Sequence, residues 1–130
     1  MLVASKNSFR RGDVPVAVNA RRLNSEQALQ ELMERSNQEP VFIFKHSATC
    51  PISAAAMEEF SGFLAQSQEG RFAAGYLIVQ EDRPISNTVA EQLGVKHESP
   101  QAILVKDGRA VWHASHWNVT AAALKEALAG

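Results

Sequence analysis

Apolar and polar positions alternate along the chain in two rhythms. In "NSEQALQELMERS", residues 24–36, Ala28, Leu29, Leu32 and Met33 recur at helical spacing. Asn24 is the expected N-cap, with Gln27 three residues on as in a capping box. In "PVFIFKH", Val41 to Phe44 are unbroken apolar, β-branched or aromatic residues, which predicts a central strand buried on both faces. "SATC" has no periodicity and reads as a loop. The next stretch predicts a helix from about Pro51 to about Gln66, because proline is favoured at a first helical position where its missing N–H has no partner to lose. "GYLIVQ" reads as a second buried strand. Pro84 opens a short helix in "PISNTVAEQLG" that Gly94 stops. "QAILVKDGRAVWHAS" is two apolar runs about Asp107-Gly108, a hairpin signal. "NVTAAALKEALAG" predicts a last helix capped by Asn118 or Thr120. The first twenty or so residues are the least patterned. "DVPVAV" reads there as a short strand that Pro15 confines to a sheet edge.

The element order is therefore (β)αβαβαββα. A strand-helix-strand unit gives parallel strands with a right-handed crossover, and a terminal hairpin adds antiparallel ones. The expected fold class is α/β: a mixed central β-sheet flanked by helices on both faces, the thioredoxin-like arrangement. The 130 residues suit one domain, with residues 1–22 as an N-terminal extension or edge strand.

Composition narrows the function. Hydrophobic residues make up 45% and charged residues 21%, the balance of a soluble globular chain. A formal net charge of -1 argues against a nucleic-acid or anionic-membrane partner. No apolar run approaches the roughly 20 residues that span a bilayer, and the amino terminus lacks a secretory core. The expected compartment is the cytoplasm. A single cysteine agrees, since it can form a mixed disulfide but no internal one.

That cysteine, Cys50, falls between the predicted central strand and the helix beginning at Pro51. Unpaired N–H groups and the positive end of the helix dipole favour an anion at such a place. The thiolate, not the thiol, is the nucleophile. Ser53 stands where a dithiol oxidoreductase would carry its resolving cysteine in Cys50-Pro51-Ile52-Ser53. It cannot resolve a mixed disulfide, though its hydroxyl can donate to the thiolate. The pattern points to a monothiol mechanism resolved by an external thiol. An inert core cysteine is the competing interpretation of the tetrapeptide taken alone. Pro100, directly before a predicted strand in "HESPQAILV", weighs against it, because thioredoxin-like proteins carry a cis-proline there.

"KHSATCPISAAAMEEF", "VAEQLGVKHESPQAILVKDGRAVWHASHWNVT" and their order resemble the YtxJ family of monothiol bacilliredoxins, from about Leu23 onward. The most specific strings are T-C-P-I-S, K-H-E-S-P-Q and H-A-S-H-W-N. The resemblance implies that Cys50 is the nucleophile, with Ser53 beside it in the catalytic motif. It also implies that Pro100 is the cis-proline. Thr49 and Pro51 beside the thiol, and Ser99 and Pro100 facing it, are the candidate substrate-binding residues. The implied reaction reduces protein–bacillithiol mixed disulfides. No bound cofactor and no metal are expected, and bacillithiol acts as the external thiol co-substrate. The expected partners are bacillithiolated client proteins and that low-molecular-weight thiol, with neither nucleic acid nor membrane.

Two other functions fit the same residues. One is a non-catalytic thioredoxin-like adaptor, which would not need an exposed, activated thiol. The other is iron–sulfur cluster binding in the manner of monothiol glutaredoxins, which use C-G-F-S where this chain has Pro51 and Ile52. His46 is read equally as an electrostatic aid to the thiolate and as a polar strand end. His97 and Glu98 are read as structural hydrogen-bonding residues before rim residues. His113 and His116 are read as surface or capping residues, and Trp112 and Trp117 as packing. Arg21 and Arg22 are too short a patch to make an anion site.

Overall fold

A computed structural model describes residues 20–66 and 72–130. The expected strand in "DVPVAV" lies outside the described residues. The elements are β1 (Ala20–Arg22), α1 (Glu26–Arg35), β2 (Val41–His46), α2 (Pro51–Gln66), β3 (Ala73–Ile78), α3 (Arg83–Leu93), β4 (Gln101–Lys106), β5 (Arg109–Ser115) and α4 (Ala121–Ala129). A 3-10 turn, His116–Asn118, links β5 to α4. The strand order is β1-β3-β2-β4-β5. β1 and β2 run parallel to β3, whereas β4 is antiparallel to both β2 and β5. This is the expected mixed sheet, and its central strand is the run that the sequence marks most strongly.

Strand alternation divides the core in two. Val41 and Ile43 of β2 face Leu29 and Leu32 of α1 and Ile85 and Val89 of α3. Phe42 and Phe44 face Met57, Phe60 and Phe63 of α2 and Leu124 of α4. Burying both faces explains why β2 shows no polar alternation. All six of its residues are buried, including Lys45 and His46 at its end. Period two carries these last residues to opposite faces: Lys45 goes with Ile43, and His46 with Phe44.

Element ends depart from expectation in three places. Ser25, not Asn24, caps α1, because its hydroxyl accepts from Ala28 N–H at 3.1 Å. Gln27 then donates to Glu31 rather than closing a capping box. β3 begins at Ala73, two residues before the expected start, and stops at Ile78. Val79 N–H still donates to His46 O at 2.8 Å, while Gln80 turns toward the loop after β2. α3 starts at Arg83, with Asp82 as its N-cap residue. The Asp82 carboxylate makes no cap bond. It accepts from Ile78 N–H and from Arg22, and so ties β1 to the β3–α3 turn. Arg21 pairs with Glu31, so both arginines serve cross-links within the fold.

The other ends follow the sequence. Gly94 takes the left-handed C-cap of α3 (φ 67°), and Thr120 caps α4 by accepting from Ala123 N–H. Asp107 and Gly108 both have positive φ, 52° and 76°, as a two-residue hairpin turn of the primed type requires.

Gly75 leaves no room for a side chain on the α1 face. A β-carbon there would stand 2.7 Å from Leu32 Cδ2 and 3.0 Å from Leu23 Cγ, and both leucines are buried. Gly75→Val should therefore destabilise the protein by about 1–3 kcal/mol through overpacking. The check is the midpoint of urea unfolding, with an unchanged midpoint as the adverse result.

Candidate active site

Sheet register brings the chemistry together. Lys45 of β2 stands opposite Gln101 of β4, and Gln101 stands opposite Ser115 of β5. The carboxyl ends of β2 and β5 and the amino end of β4 therefore share one edge of the sheet. Three segments meet that edge: residues 47–50 leaving β2, residues 96–100 entering β4, and the 3-10 turn leaving β5. They hold the three strings that stand out in the sequence. Thr49, Cys50, Pro51 and Ser53 come from the first segment and the helix it opens, and Ser99 and Pro100 from the second. The Ser99–Pro100 bond is cis, as expected, and Pro100 O accepts from His116 N–H at 2.9 Å.

Cys50 is the residue immediately before α2, with Pro51 in the first helical position. Its carbonyl accepts from Ala54 N–H at 3.1 Å, and its own N–H reaches Ser47 O at 3.4 Å. The free thiol is half-buried, between exposed Thr49 and exposed Pro51. The preceding loop is pinned by Gln80, whose Oε1 accepts from Ala48 N–H at 3.0 Å and whose Nε2 donates to Ser47 Oγ at 2.9 Å. Gln80 lies thirty residues downstream, in the turn after β3, and no local pattern marks it.

Ser53 is fully buried on the inner side of α2. Its Oγ accepts from Ser47 N–H at 2.9 Å and lies 2.8 Å from His46 Nδ1, a contact in which the tautomer of His46 sets the donor. The hydroxyl is thus engaged with the end of β2 rather than with Cys50. His46 stacks on Phe44, and burial holds its imidazole below the usual histidine range, which favours the neutral ring. Its position makes it a partner of Ser53. The two sequence interpretations of His46 both leave out that role.

The opposite face of the same edge carries a second polar group. Lys45 Nζ, fully buried, donates to Ser86 O at 3.2 Å and to His97 Nδ1 at 3.1 Å. Ser86 Oγ lies 3.3 Å from the same nitrogen. Gln101, also buried, donates from Nε2 to Lys96 O at 3.1 Å, and its Oε1 has no hydrogen-bond partner among the described residues. Desolvation pushes Lys45 down to about 8. Desolvation, then the charges of Lys45 and Arg83, push His97 down against an opposing effect of Glu98. His97 thus has the structural hydrogen-bonding role read for it. Lys45 and Gln101 are not among the candidates that the sequence suggests, although a lysine directly after the apolar run of the central strand is a visible signal.

The remaining candidates separate. Trp112 packs edge-on against Phe42, as expected, but Trp117 is 68% exposed in the 3-10 turn. His116, with φ 59°, has its Nδ1 3.7 Å from Glu98 Oε1. Among the described residues, no group of three or more His, Cys, Asp or Glu side chains is arranged to hold a metal ion. No described helix is long and apolar enough to cross a membrane.

The depressed Lys45 value has a signed consequence. Between about pH 8 and the ordinary lysine value of 10.5, the folded protein has released a proton that the unfolded chain keeps. Stability should therefore rise with pH across that window, on the order of 2–3 kcal/mol. Lys45→Met should lack this rise. Urea unfolding of both proteins at several pH values measures it, and parallel curves would contradict it.

Residues 21–124 match the family Monothiol bacilliredoxin BrxC. A solved oxidoreductase with a thioredoxin fold is 38% identical, with a TM-score of 0.74, covering 84% of this chain and 93% of that one. Thioredoxin of Malassezia sympodialis superposes with a TM-score of 0.69 at 12% identity, covering 92% and 96%. Fasciola hepatica thioredoxin superposes at 0.67 and 15% identity, covering 84% and 96%. These two distant likenesses concern the fold. Together with a single thiol at the mouth of α2, the family match identifies the chain as a member of the monothiol bacilliredoxin family, thiol–disulfide oxidoreductases on a thioredoxin-like fold.

Proposed function

We propose that the protein reduces mixed disulfides between client proteins and bacillithiol, with Cys50 as its single nucleophile. The Cys50 thiolate attacks the bacillithiol sulfur of the mixed disulfide. The S–S bond breaks, and its electron pair leaves on the client sulfur, which takes a proton from solvent. Cys50 then carries bacillithiol in a new disulfide. A second bacillithiol thiolate attacks the bacillithiol sulfur of that adduct. Bacillithiol disulfide leaves, and the Cys50 thiolate returns. Each step is thiol–disulfide exchange and draws on no metal or nucleotide.

One observation carries this reading: a half-exposed free thiol opens α2, and a buried hydroxyl stands three residues on, where an internal resolving thiol would have to be. Thr49 and Pro51 form the exposed border that a mixed disulfide meets first. Ser99, half-buried at the same end of the sheet, offers backbone for an incoming chain to pair with, and the buried Pro100 behind it fixes that segment. Ser53 holds the carboxyl end of β2 against α2 through His46 and Ser47 N–H, and so keeps the thiol loop in place. The need for a reduced external thiol fits a cytoplasmic setting.

Intact-protein mass spectrometry after incubation with bacillithiol disulfide tests the reading. The wild type should gain the mass of one bacillithiol, and Cys50→Ala should gain none. An unmodified wild type, or an equal gain in the variant, would overturn it.

Ser53→Cys offers a separate check on the motif. Its thiol would sit in the buried site three residues from Cys50, and an internal disulfide should form under mild oxidation. This requires the two β-carbons to come within about 4.5 Å. The variant should then release bound bacillithiol without added thiol. Two free thiols persisting after oxidation would contradict that arrangement.

A further inference from the structure

Lys45 is an unusual occupant of its position. Its strand neighbours on the same face, Val41 and Ile43, belong to the apolar core with α1 and α3. An ammonium buried there has no salt bridge to a carboxylate among the described residues, and it meets a backbone carbonyl and an imidazole nitrogen. Charge burial without a counter-ion is costly, and an apolar side chain of the same length would fit such a core more cheaply. Costs of this kind concentrate at sites where function uses them.

The hydrogen bonds show where the cost is used. Residues 96–100, the segment that enters β4, are held from three elements. Gln101 Nε2 of β4 holds Lys96 O, Lys45 Nζ of β2 holds His97 Nδ1, and His116 N–H beyond β5 holds Pro100 O. Ser86 of α3 closes the cluster, with its carbonyl on Lys45 and its hydroxyl near His97. Lys45 and Gln101 are directly opposed across the β2–β4 pair, so the two inner tethers spring from one rung of the sheet. Glu98 and Ser99 span the gap between the inner tethers and Pro100.

We infer that Lys45, His97 and Gln101 form a clamp that sets the position of Ser99 and Pro100 relative to Cys50, so that Lys45 governs the docking of the mixed disulfide from behind the sheet. Lys45 acts through His97 and touches no reacting sulfur. It is a positioning residue, as are His97 and Gln101. This inference rests on the reading of Ser99 and Pro100 as the docking segment. It predicts a division of labour: the clamp serves recognition of a disulfide-bearing chain, and the α2 terminus serves the reactivity of the thiol.

The test uses the full chain with two probes: a bacillithiolated peptide, which must dock, and iodoacetamide, which needs only the thiol. Lys45→Met should alkylate at Cys50 within about twofold of wild type. Its exchange with the peptide should fall by at least about fivefold, with the loss in KM rather than kcat. His97→Leu, in an exposed loop and therefore mild for folding, should repeat that pattern. His97→Asn keeps an acceptor near the place of Nδ1 and should recover most of the loss, which side-chain bulk alone would not achieve. Wild-type exchange rates in Lys45→Met or His97→Leu would overturn the inference. So would a parallel fall in alkylation, which would mean that the change reaches the thiol itself, and so would a failure of His97→Asn to recover. A wild type that alkylates but never exchanges with the peptide would instead overturn the proposed function on which the clamp depends.

Discussion

The antiparallel pairing of β2 with β4 is the constraint on which the site depends. Its register, Lys45 opposite Gln101, fixes where the thiol loop leaves one strand and where the cis-proline segment enters the other. A shift of one residue would exchange the faces of every β2 side chain. Phe42 and Phe44 would lose α2, and His46 would lose Ser53. The register is held by burial on both sides, since all of β2 and nearly all of β4 are out of water. The hairpin turn is held from outside as well: Ser36, at the end of α1, accepts from both Asp107 N–H and Gly108 N–H.

At its carboxyl end, β2 turns from apolar to polar on both faces at once. His46 and Ser53 form a hydrogen-bonded pair beneath the thiol loop, and burial lowers the imidazole's pKa there. Lys45 and His97 form a charged one on the far side. Both sit at the margin of dense apolar cores, where an unmatched polar group is costly, and this keeps their geometry tight. The thiol is thereby mounted on a short loop with fixed ends: β2 before it, α2 after it and Gln80 across it. A monothiol enzyme benefits from such rigidity. It must present one sulfur to two successive partners, with no second thiol of its own to remove the first.

Much of this was legible in the sequence, and the reasons are local. The unbroken Val41–Phe44 run, the Pro51 start and the Asp107-Gly108 turn each encode their element within a few residues. The cysteine's place at a strand–helix junction follows from two of them. Family resemblance then named the chemistry, which spacing alone left open to an adaptor or a cluster-binding protein. What the sequence hid is long-range. Gln80 reaches a loop thirty residues earlier, and Lys45 meets His97 only because α3 folds back across the sheet. The hydroxyl of Ser53 was expected to face the thiol, but its helix position turns it inward to His46. Trp117, expected to pack, lies instead exposed in the 3-10 turn that follows β5.

The central claim is that one thiol does the chemistry and an external thiol completes it. The most direct measurement is the rate at which the isolated Cys50–bacillithiol adduct is cleared as a function of added bacillithiol. The account predicts a rate proportional to thiol concentration, with an intercept at zero. An adduct that clears at an appreciable rate with no thiol added would contradict it.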